Sequence, residues 1–190
     1  MKKLMTLTSV CALTAVAYGA AAADTYTIDP NHTFPSFEIN HMGYSTFRGR
    51  FDKSSGTVAL DTAKKTGSVD VTIDVDSIST GVDKLNTHLK TPDFFDAAKF
   101  PTITFKSSAF KFKGGNVVAI TGDLTMHGVT KPVTLTVDSL VCKVHPFMKV
   151  PACGAGAHAV IKRTDWGIGT YPPAILGEDV TLRIQIEAHQ

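Results

Sequence analysis

The sequence has little cysteine and no residues in a recognisable catalytic order. It contains three cysteines and one tryptophan in 190 residues. It has no Gly-x-Ser-x-Gly elbow and no His-Glu-x-x-His helix, so serine-hydrolase and zinc-protease readings have no support. Short Gly-x-Gly pieces at Gly154/Gly156 and Gly167/Gly169 lack the strand-to-helix setting that a phosphate-binding loop requires. No charge of one sign dominates: 19 basic residues face 17 acidic ones. Lys2 and Lys3 lie in a segment read below as removed, which leaves the two signs equal. A balanced chain has no overall electrostatic claim on nucleic acid or on an anionic membrane. Beyond the first two dozen residues no apolar run is long enough to span a bilayer. With 43% hydrophobic and 19% charged residues the chain is no disordered polymer, and its length suits one domain.

The N-terminus carries an address. Lys2 and Lys3 precede an apolar stretch over about 4–17 and the small residues Ala21-Ala22-Ala23. This predicts a secretory signal peptide over 1–23, cleavage before Asp24, and a mature domain over 24–190 free in the periplasm. Cys11 lies inside the apolar stretch behind Val10, which does not suit a lipoprotein signal. Two cysteines then remain, Cys142 and Cys153. In an oxidising compartment a close pair is most simply one disulfide. A redox-active pair would want Cys-x-x-Cys spacing, and zinc through His145 and His158 lacks the spacing of a finger.

The mature chain alternates with period two. Val69, Val71, Ile73 and Val75 take the odd positions over 69–75, and Asp70, Thr72 and Asp74 the even ones. The pattern recurs at Ile103/Phe105, Phe110/Phe112, Val133/Leu135/Val137 and Val180/Leu182/Ile184/Ile186. Weaker cases are Phe37/Ile39 and the stretches 57–60, 117–126 and 157–161. About eight or nine strands are expected, joined by a polar connection over 61–67, a turn at Gly114-Gly115-Asn116 and a tight reversal over 128–132. Such short links imply antiparallel neighbours. One helical interruption is expected, with Thr80-Gly81-Val82-Asp83 as a capping box and Val82, Leu85 and Leu89 on one face. Strands with one wet and one dry face must form a sandwich or a closed barrel, and alternation alone cannot distinguish a filled barrel from a hollow one.

Aromatic side chains are the more informative feature, because eleven phenylalanines come without a matching set of acids or bases. They read either as ordinary core or as the wall of an apolar tunnel. A tail burying on the order of 500 Å² gains roughly 12 kcal/mol gross, against an association cost of roughly 4–15 kcal/mol. A few polar groups at the mouth would then choose the head. Metal binding by His32 and His41 across a hairpin is a weaker reading, since lone histidines beside turns are mostly structural.

Five runs carry a family resemblance. They are Tyr26-Thr27-Ile28-Asp29-Pro30-Asn31-His32-Thr33, His41-Met42-Gly43-Tyr44-Ser45-Thr46-Phe47-Arg48-Gly49-Arg50-Phe51, Asp93-Phe94-Phe95-Asp96, Phe100-Pro101-Thr102-Ile103-Thr104-Phe105, and 122–132, which contains Met126-His127-Gly128. Together, and in this order, they resemble the YceI-like family of periplasmic polyisoprenoid-binding proteins over essentially the whole mature chain. The resemblance implies an all-β fold, an extended lipocalin-like antiparallel barrel of about eight strands with one short helical insertion. It implies a tunnel holding an isoprenoid quinone, a polyprenyl lipid or a similar amphiphile, a link to stress responses in some relatives, and no catalysis. The expected tail contacts are Phe34, Phe37, Ile39, Met42, Phe47, Phe94, Phe95, Phe105, Phe110, Trp166 and Ile168, with His41, Asp93 and His127 as polar neighbours. No metal and no catalytic cofactor is expected. The expected partner is a hydrophobic small molecule, with no nucleic acid and no stable membrane insertion; a homodimer and transient contact with membrane respiratory proteins are further options. Trp166 stands where many relatives have Phe, which bears on tunnel length, and Thr33 where Ser is usual. The rival readings are a filled-core interaction barrel and an enzyme acting on a bound lipid through His41 or His127.

Overall fold

The computed structural model describes residues 23–190, so the expected signal peptide, apart from Ala23, lies outside the described residues. Eleven strands form one antiparallel sheet. They are β1 Asp24–Ile28, β2 Ser36–His41, β3 Ser45–Phe51, β4 Ser54–Asp61, β5 Thr66–Asp74, β6 Ile78–Ser79, β7 Thr102–Lys113, β8 Asn116–Met126, β9 Val129–Val144, β10 Pro151–Lys162 and β11 Leu176–His189. From β5 through β7, β8, β9 and β10 to β11 each strand pairs with the next. β11 then pairs with β1 at one end, Ile28 opposite Ala188, and with β2 at the other, Ser36 opposite Arg183. β1 and β2 therefore share one stave, interrupted at 29–35, and β3 and β4 share the next, interrupted at 52–53. The result is a closed eight-stave antiparallel barrel. Among the described residues closure pairs most strand edges, the outer side of β3 over 45–49 excepted.

The sequence pattern fell short at β1, β3 and β6. β3, Ser-Thr-Phe-Arg-Gly-Arg-Phe, is exposed over its first four residues at the barrel's rim, and its inward face is Phe47, Gly49 and Phe51, where a glycine interrupts the apolar alternation. The reversal expected over 128–132 is shorter than that. Only His127 (φ 51°) and Gly128 (φ 75°) make it, and Pro132 already sits in β9 opposite Asp123. Gly114 and Gly115 (φ 56° and 88°) make the matching turn between β7 and β8, the left-handed pair that suits the twist of a two-residue hairpin.

The helical insertion is α1, Asp83–Leu89. The capping box expected from Thr80 does not form: the helix starts from Val82, whose side chain cannot cap it. Thr80 Oγ1 instead donates to Asn86 Oδ1 at 2.7 Å, and Thr80 N donates to the same oxygen at 2.8 Å, tying the helix back to the end of β6.

The interruption at 29–35 is held by side chains. Asp29 accepts from Asn31 N and bonds the His32 ring at 2.7 Å. Thr33, only 1% exposed, donates to Glu187 O and accepts from Glu187 N, both at 3.1 Å, replacing the ladder where β1 and β2 part. The His32 hydrogen bond holds the Asp29 carboxyl below its ordinary range and raises the His32 imidazole. The pair's contribution is lost as pH falls through the lowered Asp29 value or rises through the raised His32 value. An NMR titration should place the His32 midpoint above 6.5, and Asp29→Asn should bring it down; an unchanged midpoint would remove Asp29 as the cause.

Cys142 and Cys153 stand directly opposite each other on β9 and β10 and form a disulfide, S–S 2.07 Å. Replacing both with alanine should cost about 2–3 kcal/mol. The check is a lower urea midpoint, with an m-value equal to or above that of the wild type because the unfolded chain loses its cross-link.

Candidate functional site

The barrel is hollow. Val180, Leu182, Ile184 and Ile186 point inward along β11, as do Ile120 on β8 and Leu135 and Val137 on β9, yet all are only half-buried. A filled core would close over such side chains. They stay accessible because they face a cavity of about 460 Å³, lined almost wholly by apolar atoms.

Rings lying flat against the wall keep that space open. A Cβ at Gly49 would overlap the Phe37 ring, the two residues being cross-strand partners. A Cβ at Gly122 would stand 2.6 Å from Phe105 Cζ, and one at Gly67 2.8 Å from Phe110 Cε1. Each ring covers a glycine, so it thickens the wall without crossing the lumen. Single-strand periodicity does not show these pairs because the glycine lies on another strand.

The mouth lies at the β2–β3 end. There Met42 (46% exposed), Phe47 (38%) and Ile175 (41%) both line the cavity and reach solvent. His41 meets the Phe47 ring edge-on at 4.6 Å. α1 roofs part of the same end, with Leu85, His88 and Leu89 turned inward at helical spacing. His88 packs edge-on against Phe94 at 5.0 Å, with Nε2 3.7 Å from Asp93 Oδ2, and Phe94 stacks on Tyr171 at 5.5 Å. His88 and Tyr171 were not singled out from the sequence. The spacing Leu85, His88, Leu89 was the available signal for the histidine.

One wall of the mouth hangs on Arg163, which is only 4% exposed. Its Nε donates to Gly177 O at 2.9 Å, Nη1 to Ile168 O at 2.6 Å, and Nη2 to Tyr171 O and, at 2.8 Å, to Leu176 O. Burial lowers its pKa, with the Glu178 charge opposing. The guanidinium thus fastens the segment 167–176, which brings Ile168, Tyr171 and Ile175 to the cavity.

Of the expected tail contacts the structure gathers Phe37, Ile39, Met42, Phe47, Phe94, Phe95, Phe105, Phe110 and Ile168 around this one space, together with His41. Four expected residues stand elsewhere. Phe34 is off the cavity wall, under the Arg50 guanidinium at 4.6 Å, because the irregular 29–35 segment breaks the alternation. Trp166 is packed into the barrel wall, 2% exposed, its indole N–H donating to Leu124 O at 3.2 Å, so it does not set tunnel length by projecting into it. His127 bonds Trp166 O at 3.0 Å from its turn, and Asp93 stands behind His88 without reaching the cavity. His32 and His41 are not brought together: Thr33 sits opposite Glu187 and His41 opposite Leu176, near opposite ends of β11. Among the described residues no three His, Cys, Asp or Glu side chains converge as a metal site.

Chemically the cavity offers an apolar sleeve with imidazole and phenol groups and the Arg48 guanidinium toward its open end and, among the described residues, no carboxylate on its wall. The YceI-like domain matches residues 26–188. The chain is 39% identical over 176 residues to protein YceI of Escherichia coli, covering 90% of each. It is similar to the crystal structure of Burkholderia cenocepacia BcnA, TM-score 0.72 at 29% identity, over 85% of this chain and 99% of that one. It shares its fold with a polyisoprenoid binding domain from Saccharophagus degradans, TM-score 0.63 at 18% identity, over 89% of this chain and 99% of that one.

Proposed function

The chain belongs to the YceI-like family, and from that premise we propose that it is a periplasmic binding or carrier protein for an isoprenoid quinone, polyprenyl lipid or similar amphiphile. The observation that carries the reading is the open apolar cavity of about 460 Å³ running inside the barrel. The Saccharophagus relative, described as a polyisoprenoid binding domain, supports the ligand class. The role is binding, with no reaction assigned to the side chains of the wall.

The cavity limits the ligand. A cavity of about 150 Å³ accommodates benzene, so about three times that volume encloses on the order of 18 carbons, or three to four isoprene units. A longer tail leaves its remainder at the mouth. A polar head stays where the cavity meets water, since carrying it inward without partners costs several kcal/mol. His41, His88 and Tyr171 are the groups that meet it there. The tail contacts proposed are the nine expected apolar residues that line the cavity, without Phe34 and Trp166. A link to stress responses is part of the same proposal and rests on the family alone.

Native mass spectrometry of protein purified from its own periplasm, followed by organic extraction, tests the reading. A stoichiometric long-chain amphiphile is the expected result. An empty protein that takes up neither a short-tailed quinone nor a polyprenol would overturn it and favour the interaction-barrel reading.

A further inference from the structure

The balanced net charge hides an asymmetry between the two ends of the barrel. The β2–β3 and β8–β9 turns and α1 lie at the mouth; the β4–β5, β7–β8 and β9–β10 connections lie at the other end. That far end is basic. Lys64 and Lys65 occupy the β4–β5 turn, Lys113 adjoins the β7–β8 turn, and Lys143 and Lys149 flank the tip of the β9–β10 hairpin. Of the acids nearby, Asp61 is engaged by Lys64 at 3.2 Å and Asp29 by His32 at 2.7 Å, Asp24 begins β1, and Glu187 stands on β11 opposite Gly154. No Asp or Glu occurs between Asp138 and Asp165. Among the described residues neither Lys143 nor Lys149 has an ion-pair partner.

The same tip presents apolar side chains to water. Phe147 is 88% exposed, and Val141, Val144 and Met148 are also exposed. The tip is held in shape although nothing covers it. His145 N donates to Val150 O at 2.8 Å and Lys149 N to His145 O at 3.0 Å. The His145 ring nitrogen Nδ1 accepts from both Phe147 N and Met148 N. The Cys142–Cys153 disulfide closes its base. A large exposed ring on an ordered support is a contact surface, and its rim of unpaired lysines selects a negatively charged counterpart.

We infer that the β9–β10 tip docks the barrel onto an anionic lipid surface. Phe147 and Met148 enter the headgroup region, and Lys143 and Lys149 lie among the lipid phosphates. The mouth is at the opposite end and stays in water, so docking is peripheral and independent of what the cavity holds.

Flotation of the purified protein with phosphatidylcholine vesicles, with and without phosphatidylglycerol, tests this at low ionic strength. The wild type should float with the anionic vesicles and be released by salt. Each basic side chain near an anionic surface contributes about fivefold, so Lys143→Gln with Lys149→Gln should weaken partitioning roughly 25-fold. Phe147→Ser with Met148→Ser should weaken it more than tenfold, as these exposed positions carry no part of the core. Phe147→Trp should shift its emission to the blue only on adding anionic vesicles. Equal binding to neutral vesicles, equal binding by the variants, or no binding at all would overturn the inference. Self-association lost in the Phe147 variant without any vesicle binding would overturn it in favour of a second copy as the occupant.

Discussion

Arg163→Met should lower stability by about 3–5 kcal/mol, a loss that removing an exposed arginine would not produce. The side chain of Arg163 is buried and gives four hydrogen bonds to the carbonyls of Gly177, Ile168, Tyr171 and Leu176. Methionine replaces the apolar stem but leaves those acceptors without a donor, and buried carbonyls without partners are costly. For a chain of this size the melting temperature should fall by roughly 6–20 °C. Arg163→Lys should recover little, because one ammonium on a flexible stem cannot reach carbonyls spread around a planar fork. The same change loosens the 167–176 wall of the mouth, so ligand release should quicken in whatever fraction remains folded. A variant within 1 kcal/mol of the wild type in urea would show that water or neighbouring groups satisfy these carbonyls without the guanidinium.

Phe105→Asp should abolish amphiphile uptake. Phe105 is the fourth residue of β7, lines the cavity and covers Gly122. Among the described residues the cations lining the cavity are Arg163, committed to backbone carbonyls, and Arg48, paired with Glu38, so a carboxylate in that sleeve finds both already engaged. Either the side chain stays protonated or water follows it in, and both disfavour an apolar tail by several kcal/mol. Because the substitution also strains the fold, Ala157→Phe gives the companion test. Ala157 faces the cavity from β10, and an added ring there fills the lumen while keeping it apolar. Loss of uptake in a folded Ala157→Phe protein, with far-UV circular dichroism unchanged, would place the ligand in the lumen. Normal uptake by both variants would put the ligand elsewhere.

Much of the fold was legible because it depends on local chemistry. Alternation at Val69, Val71 and Ile73 or at Val180, Leu182 and Ile184 marks strands with one dry face whatever they pair with. The Gly114-Gly115 turn needs left-handed backbone that glycine adopts freely. The cysteine pair could be read from close spacing and from the oxidising compartment that the N-terminal pattern leads one to expect. β3 is hard to read because a glycine interrupts its apolar face and its first residues lie exposed at the rim, and Thr80 does not cap because a capping box in sequence does not fix which residue starts the helix.

The site was legible only in part. The runs resembling the YceI-like family pointed to the aromatic residues that gather around the cavity, but the roles of Phe34, Trp166 and His127 depended on which way each side chain turns. A single irregular segment at 29–35 puts Phe34 outside, and one hydrogen bond from the Trp166 indole seats that ring in the wall. His88 and Arg163 enter the site because α1 and the 167–176 segment fold over the barrel end, contacts far apart along the chain.

By itself the sequence pattern determined antiparallel strands with short connections, since strand period and turn preference are properties of neighbouring residues, and the family resemblance pointed to a barrel. Whether that barrel is hollow, where it opens and which end is basic were decided only by the tertiary structure. Each of these depends on side chains from different staves meeting across the lumen or at one end, and a one-dimensional pattern carries no record of that distance.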